Sequence, residues 1–192
     1  MTRIYLAGDI VFRPGARHIY ARMKAICADL GLQGVAPLDG QAAAAGLPPG
    51  DATLMAIVAA DRDLMDACDA GLFCLDPFRR APDMDPGTAV EIGYMFAQGK
   101  RLAGYTVDGR HYPQKVADFF ARSGETLRPR APSAQPGSSG AMDDPDGVMV
   151  HSQGMVQNGM TEGFIRLSGG RVFASEDLFE AFRQAASHLA ER

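Results

Sequence analysis

The feature that most constrains this chain is an alternation of two periodicities. Short apolar runs rich in β-formers are separated by longer segments whose apolar residues keep helical spacing. "RIYLAG" reads as the first strand. Over 16–30, Ile19, Tyr20, Met23, Ile26, Cys27 and Leu30 share one helical face, and Gly31 is a natural stop. "GVAPL" is a second strand closed by Asp39-Gly40, and "QAAAAGLPPG" is a loop. A helix is expected over 52–68, followed by "AGLFCL", apolar throughout as a central strand should be. "DMDPGTAVEIGYMFAQGK" supplies the next helix, "RLAGYTV" a fourth strand, and "YPQKVADFFARSG" another helix. "GRVFA" is the last strand. The closing helix takes Ser175 as its cap and turns Leu178, Phe179, Phe182 and Ala186 inward. Such alternation implies parallel βαβ units. The expectation is an α/β fold: a doubly wound, flavodoxin- or Rossmann-like, mostly parallel five-stranded sheet with helices on both faces.

Ligands of such sheets bind beyond the carboxyl ends of the strands, where strand order reverses. Asp9, Asp39, Gln41, Asp76, the loop to Asp85, and Asp108 all fall at those ends. Neither GxGxxG nor a P-loop is present, so a phosphate-cradling nucleotide site has no support.

Composition excludes further classes. The formal charge of −4 and the absence of a basic stripe argue against a nucleic-acid polymer as partner. No apolar run is long enough to cross a membrane, and the N-terminal run reads as a strand rather than a signal peptide. Cys27, Cys68 and Cys74 form no CxxC pair, which fits reduced thiols and a cytoplasmic location. The four histidines lie far apart without carboxylate spacing, so no metal and no cofactor is expected. Residues 1–192 read as one domain. The stretch 123–147, rich in Pro, Gly, Ser and Asp, is a flexible insertion within it.

Glu91 has two readings. Thr88-Ala89-Val90-Glu91 fits a capping box at a helix start, with a negative charge placed to suit the helix dipole. It also lies six residues after Asp85, with Asp61 on the preceding helix, so that several carboxylates converge on one end of the sheet. Asp85 before Pro86-Gly87 is equally a good turn residue, Asp61 can belong to a solvated face, and Tyr5 can be core.

Four stretches together resemble the nucleoside 2-deoxyribosyltransferases and their relatives: "RIYLAGDIVF", "PLDGQ", "DACDAGLFCLDPFRRAPDMDPGTAVEIGYMFAQGK" and "QNGM". That resemblance implies a role for each matched residue. Glu91 matches the family's nucleophilic glutamate, and Tyr5 the tyrosine that positions it. Asp85 matches an acid that contacts the nucleobase and serves its proton transfers. Asp61 and Gln41 match positions that help hold the base. Asn158 and Met160 match an Asn-x-Met pair contributed by a neighbouring subunit, which implies a homo-oligomer. Asp9 stands where the family usually has proline or a small residue, and an acid there can face sugar or base.

The implied activity is transfer of a 2-deoxyribosyl group between nucleobases through a covalent glycosyl-enzyme on Glu91, a step of nucleotide salvage. Its small-molecule partners are nucleosides and nucleobases. A carboxylate can capture the cation-like anomeric carbon left by N-glycoside cleavage. One alternative is an N-glycoside hydrolase of nucleosides or nucleoside 5′-monophosphates, with Arg79 and Arg80 as phosphate contacts. Another is a non-catalytic nucleoside-binding protein.

Overall fold

The computed structural model describes residues 1–132 and 138–191; side chains at 41 and 43 also lie outside the described set. In chain order the elements are β1 (Thr2–Ala7), α1 (Ala16–Asp29), β2 (Leu32–Val35), α2 (Asp51–Asp66), β3 (Ala70–Cys74) and α3 (Pro86–Ala97). There follow β4 (Arg101–Thr106), α4 (Tyr112–Ala121), β5 (Arg128–Pro129), β6 (Met142–Asp143) and β7 (Met149–Val150). The chain closes with α5 (Gly159–Leu167), β8 (Val172–Ala174) and α6 (Leu178–Ala190). Five strands form a sheet in the order β2-β1-β3-β4-β8, every pairing parallel. The order reverses between β1 and β3, and the carboxyl ends of those two strands therefore open a crevice.

Strand alternation decides what each face buries. Ile4, Leu6, Leu72, Cys74, Ala103 and Tyr105 pack with Met23 and Ile26 of α1 and with Phe182 and Ala186 of α6. Tyr5, Ala7, Phe73, Leu75 and Leu102 pack on the other face with Met65 of α2, Ile92 and Met95 of α3, and Ile165 of α5. The expected doubly wound layers are present.

Local chemistry moved several boundaries. β2 ends at Val35 because Pro37 has no N–H for a ladder, and the chain enters a 3-10 helix, Pro37–Ala44, across the expected strand end and the start of the expected loop. Asp39 Oδ2 accepts from Ala36 N at 3.0 Å and closes that turn. α6 is capped by Asp177, whose Oδ1 accepts from Phe179 N and Glu180 N, and not by Ser175. Helix α5 was not expected from the sequence; Asn158 caps it by accepting from Met160 N. Within the stretch 123–147, residues 133–137 lie outside the described residues. Its outer parts contribute to a small antiparallel sheet, β5-β6-β7, beside α4, where Leu127 and Val150 pack on Tyr112 and Val116.

One glycine matters for the crevice. Gly8 turns the chain out of β1 at φ 138°, and a Cβ there would lie 2.4 Å from Cys74 Cβ. The ends of β1 and β3 can approach only without that side chain. Gly8→Ala is expected to lose about 3 kcal/mol of stability, from backbone strain plus overpacking. Urea denaturation of the two proteins measures it.

Candidate active site

β1 points Tyr5 at the face covered by α2 and α3, where the residue is fully buried. Its hydroxyl donates to Glu91 Oε1 at 2.7 Å. Helix α3 starts at Pro86, whose missing N–H is no loss there. The cap is Asp85: its Oδ2 accepts from Thr88 N at 2.9 Å and from Thr88 Oγ1 at 3.0 Å. The expected capping box between Thr88 and Glu91 is therefore not formed, because Asp85 already occupies the cap. Glu91 sits in the second helical turn, one turn after the buried Thr88 and beside the buried Ile92 and Met95. It belongs to the helix face turned toward the sheet.

Burial raises the Glu91 pKa from 4.5 to about 7; the Tyr5 hydrogen bond lowers it in part, while the charges of Asp61 and Asp85 add to the rise. A free glutamate is ionised at neutral pH, whereas this one is close to half protonated. Burial also lifts Asp61, on α2, from 3.8 to about 6. The Tyr5 phenol is pushed well above its ordinary range, first by burial and then by the charges of Glu91 and Asp61. Tyr5, Glu91, Asp61 and Asp85 thus come together from β1, α3, α2 and the loop between β3 and α3.

The other candidates stand differently. Asp9 is clamped by Arg13, with Nε on Oδ2 at 3.0 Å and Nη2 on Oδ1 at 2.8 Å. The same Nη2 donates to Asp76 Oδ2 at 2.8 Å. Asp76 Oδ1 in turn accepts from Thr106 Oγ1 and Val107 N. This chain of charges ties the carboxyl ends of β1, β3 and β4 together. Sequence reasoning missed Arg13, although its position four residues after Asp9 was a visible signal. Gln41 lies in the 3-10 helix, and its side chain is outside the described residues.

Asn158 and Met160 are not hydrogen-bonded to the Tyr5–Glu91 group within this chain. They line a cavity of about 430 Å³ between α3 and α5, with Met84, Pro86, Val90 and Phe164. Met160 and Val90 are 64% and 72% exposed there, which leaves an apolar surface between α3 and α5. Gln157, also missed, anchors this loop: its amide donates to Leu75 O and Pro82 O, and its oxygen accepts from Asn158 N. A larger concavity of about 640 Å³ between β8 and α6 holds none of these groups. Among the described residues no group of three His, Cys, Asp or Glu side chains is placed to hold a metal ion.

The chain as a whole has relatives among known proteins. The family model for nucleoside 2-deoxyribosyltransferase matches residues 4–160, the span that carries every candidate above. The chain belongs to the nucleoside 2-deoxyribosyltransferase family. An uncharacterized protein of Schizosaccharomyces pombe, C191.05c, is 57% identical over 190 residues, covering 98% of this chain and 89% of that protein. Two solved structures share the fold. A 2-desoxiribosyltransferase from Leishmania mexicana aligns with TM-score 0.64 and 23% identity, covering 98% of this chain and 99% of that one. A conserved protein from Enterococcus faecalis V583 aligns with TM-score 0.60 and 22% identity over 98% and 99% of the two chains.

The raised Glu91 pKa has a signature in stability. Between about pH 4.5 and pH 7 the folded chain holds a proton that the unfolded chain releases. Stability therefore falls as pH rises through that window, and the loss is complete above it. Glu91→Gln removes the ionisable group. The variant is expected to melt higher than the parent at pH 8, with the difference vanishing near pH 4. Thermal melts across that range measure it.

Proposed function

We propose that this member of the family is a pentosyltransferase that moves a 2-deoxyribosyl group between nucleobases, with Glu91 as nucleophile. The observation that carries this reading is the 2.7 Å hydrogen bond from Tyr5 to Glu91 Oε1 at the sheet's reversal point. Tyr5 engages one oxygen, and the other remains for the sugar. In its ionised form Glu91 attacks the anomeric carbon while the glycosidic C–N bond breaks. The electron pair leaves on the base nitrogen, which takes up a proton. Asp61, with its pKa near 6, holds that proton in a useful fraction of molecules around neutral pH. Asp85 keeps Oδ1 for a base contact while Oδ2 serves the helix cap. An incoming base then attacks from the face the first one left, its N–H proton passes to Asp61, the ester C–O bond breaks, and that bond's electron pair returns to Glu91. Two inversions give net retention.

Asn158 and Met160 suit donation to a neighbouring copy in a homo-oligomer, since Met160 is exposed on the rim of the α3–α5 groove. Salvage of nucleosides in the cytoplasm is the setting this chemistry fits.

A second reading is hydrolysis of nucleosides or their 5′-monophosphates. One observation favours it. Arg79 and Arg80 are exposed, sit at φ 51° and 68° in the loop after β3, and make no ion pair among the described residues. Strained backbone held at a rim often serves a ligand.

Incubation with deoxyinosine, with and without adenine, separates the readings. Transfer yields deoxyadenosine, whereas hydrolysis releases hypoxanthine at a rate independent of adenine. Glu91→Ala is expected to lower turnover by about 10³-fold or more while leaving circular dichroism intact. Unchanged turnover in that variant would refute the role of Glu91.

Tyr5→Phe tests the positioning contact. Without the hydroxyl, the Glu91 pKa should rise further. The acid limb of the pH–rate profile should therefore move to higher pH, and activity at pH 7 should fall about tenfold. Rate profiles from pH 5 to 9 measure it.

A further inference from the structure

A cavity of about 340 Å³ lies between α4, the β6-β7 turn and the loop before α3. None of Tyr5, Asp61, Asp85 and Glu91 lines it. Its walls include four aromatic side chains, Tyr112, Phe119, Phe120 and His151. Two carboxylates, Asp83 and Asp144, also line it, and no lysine or arginine does. Arg122, near the end of α4, is engaged on Arg80 O. Neither Asp83 nor Asp144 is in an ion pair among the described residues.

The walls are fixed by contacts of their own. The Tyr112 hydroxyl donates to Asp83 Oδ1 at 2.9 Å, and its backbone N–H donates to Met155 O at 2.8 Å. The Tyr112 ring stacks with His151 at 5.9 Å between centroids. His151 Nδ1 lies 2.5 Å from Ser152 Oγ, and Ser152 holds φ 65°, a left-handed conformation that serine adopts rarely. Asp144 Oδ1 accepts from Asp146 N and Val148 N, which closes the turn between β6 and β7. A cavity whose lining is already ordered takes a ligand at low entropic cost, and strained backbone clusters at such sites.

The lining also selects the ligand's charge. An anion would meet two carboxylates, and a neutral apolar molecule would leave both without a counter-charge. A cation is drawn to the carboxylates by charge and to aromatic rings by their negative faces. We propose that this cavity binds a small organic cation, an ammonium group carried on an aromatic or apolar body. Asp83 and Asp144 hold the ammonium, and Phe119 and Phe120 cover the body. The proposal does not depend on Glu91 being a nucleophile. Its occupant would sit against the turn that leads into α3, because Asp83 O accepts from Phe78 N and Asp83 lies two residues before Asp85.

Benzylamine, protonated at neutral pH, is the probe, and benzyl alcohol is its neutral counterpart. Both are titrated into the isotope-labelled full chain and followed by NMR. Benzylamine should saturate one site with a Kd on the order of 1 mM, as suits so small a ligand, and shift the signals of Tyr112 and His151. Benzyl alcohol should bind at least about tenfold more weakly. Asp144→Asn keeps a side-chain oxygen for the turn and should weaken benzylamine about tenfold. Phe119→Ala, at an exposed position, should weaken it about threefold. Glu91→Ala should bind it as the parent does. The proposal is overturned if benzylamine shows no saturation up to about 20 mM. Equal affinity for the alcohol, undiminished binding in Asp144→Asn, or loss of binding in Glu91→Ala would each overturn it as well.

Discussion

The hydrogen bond between Tyr5 and Glu91 is the interaction on which the candidate site depends, and the fold is what brings its two ends within reach. Eighty-six residues of chain separate them. β1 supplies the tyrosine from the sheet floor, and α3 supplies the glutamate from the second turn of a helix. Neither could be placed without the other layers. Pairing of β1 with β3 sets the floor, with Tyr5 opposite Gly71 and Leu6 opposite Leu72. Asp85 sets the helix start, and packing of Ile92 and Met95 on the sheet sets the rotation of α3.

The same burial that orders this pair gives it chemistry. A carboxylate moved out of water resists ionisation, and nearby like charges add to that resistance. Glu91 and Asp61 are both lifted into the range where protons move at neutral pH. Arg13 answers the opposite need at the edge of the crevice. Its one positive charge is shared between Asp9 and Asp76.

The loop that carries Asn158 shows how a surface contact can be built on a rigid base. Gln157 is fully buried and bonds back to the end of β3 and to the loop before α3. Glu162 accepts from Val156 N and Gln157 N, and the buried Lys115 donates to Val156 O. Next in line, Asn158 turns its side-chain oxygen back to cap α5, and Met160 is exposed.

The sequence by itself determined the layers. Alternating apolar runs and helical stripes require a parallel sheet covered on both faces, because each run must bury what it exposes. Motif resemblance also marked Tyr5, Asp61, Asp85 and Glu91, which the fold gathers. Other features were decided only by the folded structure. Spacing pointed to Thr88 as the cap of α3, but the cap is Asp85, whose Oδ2 meets two donors of Thr88. The charge state of Glu91 depends on how much water its neighbours exclude, which no spacing encodes. The reach of Arg13 to Asp76 and the burial of the Tyr20 hydroxyl depend on segments that only folding brings together. Desolvation and hydrogen-bond pairing are properties of a site's whole surroundings, and those exist only once the chain has folded.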